Sequence, residues 1–355
     1  MNIVQKNYDL IKLKACPVCD QDINNINNEI LPPDNVENFY VKSLSIDFDI
    51  DLENFNKNLK IIRCSKCFST YYNKWFDLAS ADRIYNSIYG QHNYGWQNYY
   101  NFIEKSLYPN HGNLFENYFT KMEVNTYGEY NCPFSGLLFN IFKFEYGQSE
   151  IFNKKLNKQI NKYFISRQLA KKLVLNDKIK KIDPPTMQEI QRLKQSKKIN
   201  DKTINSYLLY DSSSYCWSYN CISESVNCKS TGQLMLGFKS LNLNYKLNEI
   251  PKFDCFGFFM VLDHQKDPMN LLSKILNKSR YVILHLHTSG DHLTKQHLFS
   301  FSKEFINYLK SNKIFAEDIT LNIKKDKKRN KGANYLDNQI YLVCSLSKES
   351  LSLVV

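Results

Sequence analysis

No apolar run in this 355-residue chain is long enough to cross a membrane. The strongest, residues 256–262, is seven residues long, whereas a spanning helix needs about 20. Residues 1–14 hold no apolar stretch of leader length, so the sequence reads as a soluble, cytoplasmic protein. Glycine is scarce, with 11 residues, and nowhere forms the closely spaced run that cradles a phosphate. Acidic residues fall short of basic ones, 35 against 47, for a net charge of +12. The excess is local. Residues 151–200 hold 14 Lys/Arg against 3 Asp/Glu, and residues 324–331 hold six basic residues and one acid. The remainder is therefore about −4 (12 − 11 − 5), so positive charge does not coat the whole protein. With 43% hydrophobic and 23% charged residues, the composition is that of a globular chain.

Cysteine is not lacking. Ten are present, and four stand in two tight pairs: Cys16-Pro17-Val18-Cys19 and Cys64-Ser65-Lys66-Cys67. Each Cys-x-x-Cys pair can form a knuckle whose two sulfurs point at one ion, and two knuckles complete a tetrahedral zinc shell. A four-thiolate shell has no open position for substrate, so this zinc is read as structural. The spacer of 44 residues is long for a compact ribbon, and Asp20 and Phe68 stand where a small residue often follows a knuckle. The other six (Cys132, Cys216, Cys221, Cys228, Cys255, Cys344) are scattered, as reduced thiols in a cytosolic protein would be.

Three units are expected: a zinc-binding module over 1–75, an aromatic-rich helical connector over 76–120, and an α/β domain over 121–355 carrying a basic helical insertion at 146–203. In the first, residues 61–64 and 68–72 read as strands flanking the second knuckle, with another strand near 39–46. In the third, strands are expected at 126–131, 204–210, 253–262, 281–286 and 339–345. Helices are expected at 137–144, from Pro268 onward and at 301–309. Leu271, Leu272, Ile275 and Leu276 follow helical spacing behind Asp267-Pro268, an N-cap followed by proline at the first helical position. Strands alternating with helices give the fold class: α/β, a Rossmann-like doubly wound, mostly parallel sheet with a small N-terminal zinc ribbon.

Ligands of such sheets bind outside the carboxyl ends of the strands. Three of those ends carry polar residues. The first is the turn Asn131–Gly136, where a tight entry into a helix would expose backbone N–H groups. The second is Asp211-Ser212, where the acid either accepts from a ribose diol or caps the next helix. The third is Asp263-His264 ahead of Asp267-Pro268. His285 and His287 alternate with Leu286 and so face one side of their strand.

The run Val261-Leu262-Asp263-His264-Gln265-Lys266-Asp267-Pro268, followed by Leu271-Leu272 and an apolar strand, resembles the segment after the cofactor turn in class I S-adenosylmethionine-dependent methyltransferases. The zinc module and aromatic-rich connector are similar to a subgroup, the sugar C-methyltransferases with an N-terminal zinc-binding domain. Gln296-His297-Leu298-Phe299-Ser300-Phe301-Ser302 resembles the end of that subgroup's Y-H-E-H-L-S-Y-F-S segment. Of the family's glycine turn, E-x-G-x-G-x-G, Glu129 keeps its place, while Asn131, Pro133 and Ser135 stand at the glycine positions and Gly136 comes one residue late. The resemblance covers 10–110, 125–145 and 204–345 in outline.

It implies S-adenosylmethionine and structural zinc as cofactors. Glu129, Asn131, Cys132, Pro133, Gly136, Asp211, Ser212 and Asp263 would lie around the former, and Cys16, Cys19, Cys64 and Cys67 would hold the latter. It implies methyl transfer to a small molecule, a nucleotide-linked sugar or glycan precursor, with an anionic character that the basic segments would favour. A histidine suits the proton removal this requires, because imidazoles ordinarily titrate near pH ~6.5. His297, His287 and His264 are the candidates. Two other readings stand beside this one. A nucleic-acid methyltransferase would use the basic insertion, although that insertion lacks interleaved aromatics for stacking bases. A non-catalytic scaffold would explain the altered glycine turn.

Overall fold

The computed structural model describes residues 10–31, 60–76, 108–130, 137, 141, 204–210, 239–242, 250–265, 267–288, 299–323 and 339–355. The expected strand near 39–46, most of the connector, the whole basic insertion, the 324–331 cluster, and Asn131, Cys132, Pro133, Gly136, Asp211, Ser212 and His297 lie outside these residues.

Among the described residues, the N-terminal part contains five short strands: β1 (Leu10–Lys12), β2 (Glu29–Leu31), β3 (Ile61–Arg63), β4 (Thr70–Tyr72) and β5 (Lys74–Phe76). β1 pairs antiparallel with β5, while β2, β3 and β4 form an antiparallel sheet. Beyond it come α1 (Tyr108–Asn117), β6 (Thr126–Tyr130), β7 (Asn205–Tyr210), β8 (Lys239–Asn242) and β9 (Phe253–Phe259). These are followed by α2 (Pro268–Leu276), β10 (Ser279–His287), β11 (Phe299–Ser300), α3 (Phe305–Ser311), β12 (Phe315–Asp318), α4 (Thr320–Ile323), β13 (Gln339–Ser345) and α5 (Lys348–Ser352).

Seven strands form one sheet in the order β12-β13-β10-β9-β6-β7-β8. β10, β9, β6, β7 and β8 are mutually parallel, and β13 runs antiparallel to both β10 and β12. The first five strands in chain order thus follow the doubly wound arrangement 3-2-1-4-5, with its switch point between β6 and β9. The final strand, expected at 339–345, is present but reversed.

Two expected boundaries move. The strand expected over 253–262 stops at Phe259, because Met260 takes a left-handed φ of 53° and Leu262–His264 turns in a short 3-10 helix. The helix expected over 301–309 begins at Phe305, since Phe299–Ser300 is a strand. The start of α2 is as read: Asp267 is the N-cap, its carboxylate accepts from the Asn270 N–H at 3.2 Å, and Pro268 follows.

The two faces of the large sheet differ chemically. Tyr130, Phe258, Val282, Leu284, Leu286, Ile340, Leu342 and Cys344 point to one face and share a core with α2, α3 and the cysteine knuckles. The alternate residues point to the face covered by α1. There His111 of α1 meets Phe259, His285 and Tyr341 edge-on, with ring centroids 4.7, 5.7 and 6.2 Å away. The first face is almost purely apolar. The second carries Glu129, His285, His287 and Gln339, all buried. Burying these groups would be costly unless they are hydrogen-bonded, which directs attention to their partners.

Candidate functional site

The four cysteines converge. Their sulfurs all lie within 4.8 Å of one another, and Cys16, Cys19, Cys64 and Cys67 are all buried. Sγ of Cys16 is 3.6 Å from that of Cys67, and Sγ of Cys19 is 3.4 Å from that of Cys64. Zinc–sulfur bonds of about 2.3 Å in a tetrahedron would set sulfurs roughly 3.8 Å apart, so the donor set fits the ion. Burial pushes the Cys16 thiol up, while hydrogen bonds from neighbouring thiols hold Cys64 low. Four thiolates crowded together need a cation to be ionised at once.

The two knuckles share one backbone pattern. Cys16 N–H donates to Gln21 O and Asp20 N–H to Cys16 O, at 2.8 and 3.0 Å. Cys64 N–H donates to Ser69 O and Phe68 N–H to Cys64 O, both at 2.9 Å. Asp20 and Phe68, the residues that replace the usual small one, adopt left-handed φ values of 58° and 60°. Asp tolerates this; for Phe the conformation costs about 1–3 kcal/mol, which the rest of the knuckle must hold in place. Gln21 ties the knuckles together through its amide N–H groups, which donate to Asn28 Oδ1 at 2.8 Å and Ser65 Oγ at 2.7 Å.

A second cluster sits at the carboxyl ends of β9 and β10. The His287 ring, 3% exposed, lies with Nδ1 2.8 Å from Oδ2 of Asp263, which is 1% exposed. An ionised carboxylate only accepts, so a proton sits on Nδ1, and in the neutral imidazole the lone pair is then on Nε2. Two residues earlier, the His285 Nε2–H donates to Oε1 of Gln339 at 2.7 Å, and its ring stacks on Tyr341 with centroids 4.0 Å apart. The sharp exit of β9 at Met260 brings Asp263 back to β10, and the Met260 N–H donates to His285 O at 2.8 Å. His264 belongs to the same turn.

Glu129, at the end of β6, is fully buried. Its Oε2 accepts from the Tyr127 hydroxyl at 2.7 Å and from the Leu137 N–H at 3.0 Å. The carboxylate therefore ties the strand to Leu137, eight residues further along the chain. Ile141 N–H donates to Leu137 O at 2.9 Å; the rest of the helix expected over 137–144 lies outside the described residues. Gly257 makes room for this arrangement: a Cβ there would lie 2.5 Å from the Tyr127 hydroxyl and 2.4 Å from Phe259 Cε2. Gly257→Ala should therefore destabilise the protein by about 1–3 kcal/mol, the usual cost of overpacking, visible as a lower urea midpoint.

Residue spacing pointed to Asp263, His264, His285, His287 and the four cysteines, and the family resemblance added Glu129. Neither pointed to Tyr127, which reaches Glu129 from two residues earlier on the same strand, nor to Gln339 or His111, which meet their partners through strand pairing and the docking of α1. Among the described residues no helix is long and apolar enough to cross a membrane.

No protein-family model and no curated protein sequence matches this chain. Solved structures do. An O-methyltransferase family protein from Burkholderia thailandensis aligns with a TM-score of 0.32 and 6% identity, covering 76% of this chain and 60% of that one. The plantazolicin methyltransferase BpumL in complex with SAH aligns at 0.34 and 8% identity, covering 74% of this chain and 94% of that one. The plantazolicin methyltransferase BamL, in complex with a triazolic desmethylPZN analog and SAH, aligns at 0.34 and 10%, covering 75% and 96%.

Proposed function

We propose that this chain is an S-adenosylmethionine-dependent methyltransferase acting on a small anionic acceptor, a nucleotide-linked sugar or glycan precursor, with structural zinc held by Cys16, Cys19, Cys64 and Cys67. The observation that carries the reading is the buried Asp263–His287 pair at the carboxyl ends of β9 and β10, beside the switch point where doubly wound sheets bind their ligands.

S-adenosylmethionine supplies, when bound, an electrophilic methyl group on sulfur. The chain's own residues then have separate tasks. Glu129 anchors Leu137 to β6, and Asn131, Cys132, Pro133 and Gly136 from the segment between them would lie against the cofactor, with Asp211 and Ser212 beyond β7. His287 takes the proton that the acceptor loses, using Nε2. Asp263 holds Nδ1–H in place and stabilises the imidazolium that results, as the carboxylate does in other acid–histidine pairs. His297 and His264, brought in by the sequence resemblance, would flank the same strand ends.

Calorimetric titration of the purified chain with S-adenosylmethionine should show one site with a Kd below 1 mM (on the order of −4 kcal/mol or more favourable). No heat and no thermal shift at millimolar cofactor would leave only a non-catalytic scaffold.

A further inference from the structure

The zinc module does more than precede the large sheet: one strand of its own sheet comes from the other side of the candidate site. β11, which follows β10 in the chain, pairs antiparallel with β4, with Phe299 opposite Tyr71 and Ser300 opposite Thr70. The resulting sheet runs β11-β4-β3-β2. Thr70 lies three residues beyond Cys67, so β11 is added directly to the strand that leaves the second knuckle.

β11 holds both members of the acid–histidine pair. The N–H of Phe301, the next residue, donates to the backbone carbonyl of His287 at 3.0 Å, and Ser300 Oγ donates to the same oxygen at 3.4 Å. β11 also packs against the turn Leu262–His264 that carries Asp263. The contact is dry: Phe299, Ser300 and Phe301 are at most 2% exposed. Tyr308 of α3 completes the link: it lies in the same core as the four cysteines and stacks on Phe305, with ring centroids 5.8 Å apart. The Arg63–Glu304 ion pair at 3.3 Å crosses the same boundary, but it is half-exposed and adds little.

We infer that the metal-bound knuckle positions the His287–Asp263 pair, with β11 as the connecting element and Ser300 and Phe301 as positioning residues. A free knuckle would leave β4 without a fixed edge, β11 without a partner, and the His287 carbonyl without its clamp. The imidazole would then lose the fixed direction that proton transfer requires, since a misplacement of about 1 Å can cost two orders of magnitude in rate. The catalytic part of this inference rests on the methyltransferase reading; the coupling of metal to β11 does not.

The test uses the full chain and three measurements before and after zinc is stripped with a chelator and restored: amide hydrogen exchange, S-adenosylmethionine affinity and methyl transfer. Where the ion resists chelation, Cys19→Ser provides the metal-free protein. Stripping should speed exchange of the 299–301 amides at least about tenfold while β6 and β13 stay protected, and zinc should restore them. Turnover should fall at least about tenfold with cofactor affinity changed less than about threefold, a split that generalised loss of structure would not give. Unchanged protection at 299–301 after zinc loss, exchange rising equally across the large sheet, or a protein that takes up no zinc would each overturn the coupling. If protection responds to zinc but no cofactor binds, the coupling stands and the methyltransferase assignment falls.

Discussion

Cys64→Ser should release the metal and lower the thermal midpoint by about 10 °C or more. Cys64 is fully buried within the four-sulfur cluster, its Sγ 3.4 Å from that of Cys19. A serine hydroxyl does not ionise as a thiol does, so the shell loses one of its four donors. Structural zinc contributes on the order of 10–16 kcal/mol of apparent binding energy in small zinc domains, and losing part of it outweighs any single packing contact. At roughly 2–4 °C per kcal/mol for mid-sized domains, a loss of several kcal/mol gives the stated shift. The effect should not stay within the N-terminal strands. The cysteines share one apolar core with Leu286, Phe299, Phe301 and Phe305, so the transition should broaden or split as that side of the large sheet loosens. Cys344→Ser, in the same sheet but away from the knuckles, is the control that should keep its zinc. Zinc content by atomic absorption and calorimetric unfolding check both variants; one equivalent of zinc retained in Cys64→Ser would mean the shell is misassigned.

The four-cysteine cluster and the central strands were legible in the sequence because each depends on local pattern. Two Cys-x-x-Cys pairs define their knuckles without help from the rest of the chain. An apolar run ending in Asp263-His264 and Asp267-Pro268 announces a buried strand, a turn and a capped helix in succession. What could not be read has a common cause. β11 is two residues long and exists only because β4 offers it an edge. β12 pairs only with the reversed β13, at the edge of the sheet. Gln339 looks like any strand-end glutamine until β13 places it opposite His287 and within reach of His285. Non-local pairing decides all three, and no window of sequence contains it. The candidate site was half visible for the same reason: alternation placed His285 and His287 on one face, but the partner of His287 comes from 24 residues upstream.

That partnership makes the second large effect specific. Asp263→Asn should reduce methyl transfer by about 10²–10⁴-fold while leaving the fold nearly intact, because the side chain keeps its shape and volume. The amide offers an N–H where the carboxylate offered only oxygens. It therefore favours the tautomer with the lone pair on Nδ1, and Nε2 can then no longer accept a proton. His287→Ala would be a poorer probe. It would leave a buried carboxylate with its main partner removed, at a cost of about 3–5 kcal/mol that would confuse stability with chemistry. His287→Gln keeps a donor within reach of Asp263 and removes the titrating group, so it should match Asp263→Asn in rate, and the double variant should be no slower than either alone. Such non-additivity marks two residues acting as one unit. Single-turnover assays following S-adenosylhomocysteine formation, with cofactor affinity measured alongside, decide the matter. If both variants transfer methyl at the parent rate, the pair is a packing feature of the strand ends and the base must be sought at another histidine. If the rates fall and cofactor affinity holds, the buried pair is where the proton goes.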